Sequence, residues 1–98
     1  MKVRFRQAFL DRLEVDPHYD HGFPPAVVTA YRKRMQAIRA APDERVFYSF
    51  KSLRFEKLKG KREHQHSMRL NDQWRLMVEF EGKAPEKVVA VVDVEDYH

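Results

Sequence analysis

The groups best suited to chemistry in this chain are a glutamate set among cations and a closing Asp-Tyr-His. Glu56 lies in residues 51–75, which carry eight basic side chains (Lys51, Arg54, Lys57, Lys59, Lys61, Arg62, Arg69 and Arg75) against three acidic ones, Glu56, Glu63 and Asp72. That local balance of +5 exceeds the +4 of the whole chain, and residues 76–98 hold two basic and six acidic groups. Positive charge gathered in one part of the fold points to a phosphate-bearing partner, RNA or DNA, over a merely solvated face. A carboxylate amid such cations has two uses: half of a structural ion pair, or a base beside a phosphate site that takes the proton from a nucleophile. Asp96, Tyr97 and His98 follow directly on a valine-rich strand, so the tripeptide is expected to be tied down.

Other chemistries are poorly served. The absence of cysteine excludes disulfides, thiolate metal sites, iron–sulfur clusters and thiol nucleophiles, and fits a cytoplasmic address. His64 and His66 have the i, i+2 spacing that can chelate a metal from one face of a strand, yet only Glu63 stands nearby at ligand spacing. They are read as ordinary strand residues, and no metal or cofactor is expected. His18 and His21 flank a loop and are expected in solvent. With three glycines and no Gly-rich phosphate loop, serine-centred elbow or paired carboxylates, nucleotide-binding folds are improbable. The longest apolar run, residues 88–92, is five residues against the ~20 that span a bilayer, so no membrane partner is expected. The opening Met-Lys-Val-Arg-Phe-Arg-Gln has no apolar stretch of the signal-peptide kind.

The elements that position these groups must fit into 98 residues, which predicts a single domain over 1–98 with an open face in place of a deep cavity. Residues 3–15 read as a short strand leading into a short amphipathic helix, followed by breakers at Pro17, Asp20, Gly22 and Pro24. Val27, Tyr31, Met35 and Ile38 recur at helical spacing between Pro25 and Pro42, with Arg32, Lys33 and Arg39 on the opposite, solvated face. After a turn or short helix over 43–50 the period becomes two. Leu53 and Phe55 alternate with Arg54 and Glu56, Trp74, Leu76, Val78 and Phe80 alternate with Arg75, Met77 and Glu79, and Val88 to Val94 is apolar on both faces until Asp93. The prediction is an α+β fold in two layers: two N-terminal helices packed on one face of a mainly antiparallel, twisted sheet of three to five strands, with the last strand in its middle.

The turn at Asn71 and Asp72 decides which side chains share a face. A two-residue loop would mix apolar and charged groups on each side. A three-residue loop, residues 71–73, pairs Leu70 with Trp74 and Met68 with Leu76 and leaves one clean apolar face. The three-residue loop predicts that Arg69 and Arg75 stand directly opposed on the open face, a repulsive pair unless an anion or carboxylate lies between them. With Leu53 and Phe55 turned inward, Glu56 joins them there. Tyr97 and His98 alternate in parity, so both reach that face only through a bulge or terminal twist. His98 is expected on the same side as Asp96, with Tyr97 reaching round from the edge.

The runs Phe55-Glu56-Lys57-Leu58-Lys59-Gly60-Lys61-Arg62, Met68-Arg69-Leu70-Asn71-Asp72-Gln73-Trp74-Arg75-Leu76 and Val94-Glu95-Asp96-Tyr97-His98 resemble the RelE superfamily of toxins from bacterial type II toxin–antitoxin systems. The branch they are most similar to is HigB, the plasmid-maintenance killer proteins. The likeness covers roughly the last 45 residues well and the leading helices only in size and order. It implies a compact microbial-RNase-type fold, cleavage of mRNA in the ribosomal A site, and a helix-turn-helix, HigA-like antitoxin that also represses the operon, so that operator DNA is met only through the antitoxin complex.

Carried over by position, the resemblance implies catalytic roles for Arg75, Tyr97 and His98, with Asp96 beside them. Glu56 departs from HigB members that have histidine two residues before the equivalent of Leu58, and agrees with YoeB-like relatives. The implied reaction needs no metal: Glu56 takes the proton of a ribose 2′-hydroxyl, Arg75 and Arg69 stabilise the phosphoryl charge, and His98 protonates the leaving 5′-oxygen. A C-terminal carboxylate on His98 would favour its charged, acid form. Lys57, Lys59, Lys61 and Arg62 would hold RNA backbone. The competing expectation is a non-catalytic RelE-like module that binds antitoxin and nucleic acid as an operon co-repressor.

Overall fold

A computed structural model of the chain describes residues 1–97, so the expectations placed on His98 lie outside the described residues. β1 (Lys2–Phe5) leads into α1 (Ala8–Val15), and Pro25 then opens α2 (Pro25–Ala40), where its missing N–H costs nothing. Val27, Tyr31, Met35 and Ile38 form the buried stripe of α2, each no more than 1% exposed. The Tyr31 hydroxyl donates to the Leu10 carbonyl at 2.7 Å and so links the two helices inside the core. Burial raises the pKa of that hydroxyl well above its ordinary value, the charges of Glu14 and Asp11 adding to the effect.

Two of the three cations expected on a solvated face of α2 hold the helical layer together instead. Arg32 donates to the carbonyl of Leu13, which the end of α1 leaves without an intrahelical partner, and to those of Asp16 and Tyr19 in the loop that follows. Arg39 makes two 2.7 Å hydrogen bonds to the Glu14 carboxylate, which raise the guanidinium's pKa. His21 is exposed as expected, but its ring stacks on Phe9 at 3.9 Å and its Nδ1 meets the Tyr19 hydroxyl at 2.7 Å.

The next segment corrects the expectation of a strand from Leu53. The chain forms a short helix α3 (Arg45–Ser49), a 3-10 turn over Lys51–Leu53, and then Arg54 in the left-handed region at φ 46°. Only β2 (Glu56–Lys57) joins the sheet. Leu53 and Phe55 are buried all the same, at 4% and 9% exposure. A tight turn can bury residues i and i+2 as a strand does, and four residues of alternation cannot distinguish the two.

β3 (His66–Arg69), β4 (Trp74–Glu81) and β5 (Val88–Asp96) complete a five-stranded sheet in the order β1-β5-β4-β3-β2. Its pairs are antiparallel except β1 with β5, which run parallel. β5 is an interior strand, as its valines imply, and β4 is the centre. The β3–β4 loop is the three-residue one: Met68 faces Leu76 and Arg69 faces Arg75, while Asn71 Oδ1 accepts from the backbone N–H groups of Gln73 and Trp74 at 2.9 and 2.8 Å.

β5 carries one residue more than the β4 segment it faces. Met77 lies opposite Asp93 and Val78 opposite Val91, which leaves Val92 unpaired against β4, its carbonyl accepting from Gln7 Nε2 at 2.7 Å. Val89 and Val91 face the helices before this bulge and Val94 faces them after it, so Glu95 turns outward opposite Arg75. One core results, in which Leu10, Leu13, Tyr31 and Met35 pack against Met68, Leu76, Val78 and Val91. None of the described helices is long and apolar enough to cross a membrane.

Replacing Tyr31 by Phe keeps the ring and removes one buried hydrogen bond. The expected loss is about 1 kcal/mol of unfolding free energy, read as a lower urea midpoint at unchanged slope.

Candidate active site

The helices cover one face of the sheet, and the other carries the charge. Arg69 and Arg75 occupy directly opposed positions on it, as the hairpin register requires. Arg69 pairs with Asp72 of the turn. Arg75 has no carboxylate partner among the described residues. Its Nη1 donates to the Asn71 carbonyl at 2.9 Å, and its guanidinium lies over the Tyr97 ring, 5.2 Å from the centroid. These neutral partners orient the group without cancelling its charge, which leaves Arg75 available to an anion.

Tyr97 reaches Arg75 because the Val92 bulge reverses the alternation of β5 upstream. Glu95 and Tyr97 fall on the arginine side, and Asp96 falls opposite Trp74. Tyr97 therefore follows the strand's own alternation to this face, with its backbone N–H donating to the Gln73 carbonyl at 2.6 Å. The Asp96 carboxylate accepts from Gln73 Nε2 at 2.9 Å and is not brought to Arg75. Gln73, which the sequence reading did not single out, thus ties down the last described residues by both its backbone and its side chain.

Arg62 is engaged within the protein. Its guanidinium makes a bidentate contact to Glu95 at 3.0 and 2.6 Å and reaches Gln65 Oε1 at 3.1 and 2.8 Å. The Glu95 bonds raise its pKa. Gln65 donates in turn to Glu79, which also meets Arg6 at 3.3 Å. The 59–65 loop is thereby drawn across the open face, and Met77, which points away from the helices, is fully buried beneath it. Only the bulge places Glu95 on this face, so regular strand alternation does not point to it. Lys57, Lys59 and Lys61 are exposed and form no ion pair among the described residues.

Glu56 is exposed and sits opposite Ser67, two residues along β3 from Arg69, on the open face. Its Cα is two strands over and one side-chain repeat along from that of Arg75, roughly 12 Å by sheet spacing. Extended glutamate and arginine side chains can bracket a sugar-phosphate unit across that span.

The two histidines weighed as a metal pair have separate surroundings. His64 is exposed, 3.8 Å from Glu79, whereas His66 stacks on Phe55 with ring centres 4.8 Å apart and meets the Phe80 edge. No group of three or more metal-ligating side chains exists among the described residues.

A protein-family model for the RelE-like toxin of type II toxin–antitoxin system HigB matches residues 3–98. The chain belongs to this family. It is a type II toxin, and membership implies a protein antitoxin as partner. The solved structure of a YoeB/ParE toxin from Agrobacterium tumefaciens has the same fold, with a TM-score of 0.63 and 18% identity over 100% of both chains. No curated protein matches the chain.

His66 sets a pH limit on the toxin's stability. Burial lowers its pKa from 6.5, and Nδ1 has no hydrogen-bond partner. Below pH 6.5 the unfolded chain takes up a proton that the folded chain resists, so the stability linked to His66 is complete above pH 6.5 and is lost as pH falls toward the folded pKa. His66→Phe keeps the aromatic stack and should flatten this part of the profile, which thermal melts between about pH 7.5 and 5 will show.

Proposed function

We propose that the toxin is a ribosome-dependent mRNA endoribonuclease that cuts by attack of a ribose 2′-hydroxyl on the adjacent phosphorus. The observation that carries this reading is Arg75, directly opposed to a second arginine and oriented by an uncharged carbonyl and a tyrosine ring. A cation positioned in this way is suited to charge that builds up on a phosphoryl group.

In the proposed reaction Glu56 accepts the 2′-hydroxyl proton, and the new O–P bond forms as the P–O5′ bond breaks. Arg75, with Arg69 beside it, stabilises the charge on the non-bridging oxygens. His98 gives its proton to the departing 5′-oxygen, leaving a 2′,3′-cyclic phosphate and a 5′-hydroxyl. Tyr97 orients the nucleotide by stacking, Lys57, Lys59 and Lys61 contact backbone phosphates, and Arg62, neutralised by Glu95, holds the loop that carries Lys59 and Lys61. Asp96 acts only on the terminal segment, through Gln73. An open site of this kind suits a substrate held by a larger body such as the ribosome. The proposed antitoxin is a HigA-like helix-turn-helix protein through which the complex meets operator DNA.

Arg75→Ala should lower the rate of reporter-mRNA cleavage during translation by about 100- to 1,000-fold without lowering the melting temperature. Cut ends mapped in translating ribosomes, with induced growth arrest read alongside, provide the measurement. Intact reporter mRNA and unaffected growth with the unaltered chain would refute the enzymatic reading and leave the antitoxin-binding module.

A further inference from the structure

Four large hydrophobic side chains are strongly exposed among the described residues: Val15, Tyr48, Phe50 and Tyr97. Tyr97 belongs to the arginine face. Tyr48, at 59% exposure, is in the last turn of α3 and Phe50, at 53%, follows the helix directly; Tyr48 packs edge-on against Phe55 with ring centres 4.8 Å apart. Phe55 immediately precedes Glu56. Phe55 faces the helical layer and Glu56 the open face, so Tyr97 shares a face with the proposed base while Tyr48 lies on the other side of the sheet, beyond the β2 edge.

The surroundings of this second group are cationic. Lys51, Arg54 and Lys57 are exposed and make no ion pair among the described residues. Arg54 holds φ 46°, a conformation uncommon for residues other than glycine, asparagine and aspartate and one that concentrates at functional sites. That turn carries the chain from the aromatic group to Glu56.

We infer that Tyr48 and Phe50, with Lys51, Arg54 and Lys57 in the same stretch of chain, offer stacking surfaces for bases of single-stranded RNA that passes from the cleavage face round the β2 edge. Single-stranded nucleic acid offers alternating π-faces and phosphates, and exposed rings interleaved with unpaired cations complement both. An extended peptide fits less well, because β2 offers an edge of only two residues for strand addition. The platform rests on the RNA-cleaving reading and extends it by naming where the strand continues beyond the cut nucleotide.

The probe is a fluorescein-labelled single-stranded RNA dodecamer bearing 2′-O-methyl groups throughout, which removes the proposed nucleophile so that binding is read apart from cleavage. By fluorescence anisotropy, Tyr48→Ala with Phe50→Ala should weaken binding about tenfold or more, since each stacked base contributes on that order. Tyr48→Trp should hold the parent affinity, and Arg54→Ser should reduce the slope of log K against log salt by about one. Thermal melts of each variant separate a lost platform from a lost fold. The inference is overturned if the parent shows no saturable binding, if the double variant binds within twofold of the parent, or if the double variant loses affinity for the antitoxin alone. A parent that binds this RNA but cuts no mRNA leaves the platform standing and removes the proposed reaction.

Discussion

The arrangement of the open face depends on the single extra residue at Val92. Before it, the register of β5 is fixed by parallel pairing with β1, where Phe5 stands beside Val91. After it, antiparallel pairing with β4 sets Val94 beside Leu76 and Glu95 beside Arg75. Apolar side chains must face the helices in both halves, and a regular strand would keep odd-numbered residues inward throughout. Glu95 and Tyr97 would then point into the helical layer and Arg75 would have neither near it. The bulge lets both halves of β5 bury their valines and still delivers the tyrosine to the arginine.

The same face shows how charge is divided between structure and function. Arg4, Arg6 and Arg62 pair with Glu79, Glu81 and Glu95 along one part of the sheet, and Arg69 pairs with Asp72. Exposed pairs of this kind contribute little individually, about 0 to 1 kcal/mol, but they fix where side chains lie and remove the positive charge they involve. Arg75 and the cations around β2 are among those left without carboxylates in the described residues. The +5 of residues 51–75 is thus narrower in space than in sequence, because Arg62 and Arg69 are already committed to anions of their own.

Much of this was legible in the sequence. The spacing of Val27, Tyr31, Met35 and Ile38 gave α2, and the mixing of apolar and charged groups under a two-residue turn was enough to oppose Arg69 and Arg75. Both signals are long or doubly constrained. Leu53 to Glu56 reads as a strand in the sequence because four alternating residues suit a turn equally well, and the left-handed φ of Arg54 has no signature in a residue that is not glycine. Glu95 and the side taken by Tyr97 are harder to read for a different reason: apolar residues on both faces from Val88 to Val92 leave the place of an extra residue open, and the one mark of it is Asp93, which a regular strand would turn into the core. The roles of Arg32 and Arg39 were missed because a cation on a helix surface looks the same whether it meets water or the end of a neighbouring helix.

The contrast between Arg69 and Arg75 is also an argument about how a sheet this small keeps a reactive cation. Two guanidinium groups directly opposed across strands repel, and neutralising both with carboxylates would give the most stable pair but leave no anion site. Here the turn supplies Asp72 to one of them, so the hairpin carries one uncompensated charge instead of two. The remaining charge is steadied by a carbonyl dipole and a π-face, both strongest toward a cation and neither able to take a proton from it. An incoming phosphate therefore meets a group already oriented, with no internal salt bridge to break first, and the stability given up at Arg75 stays within what one uncompensated surface charge costs.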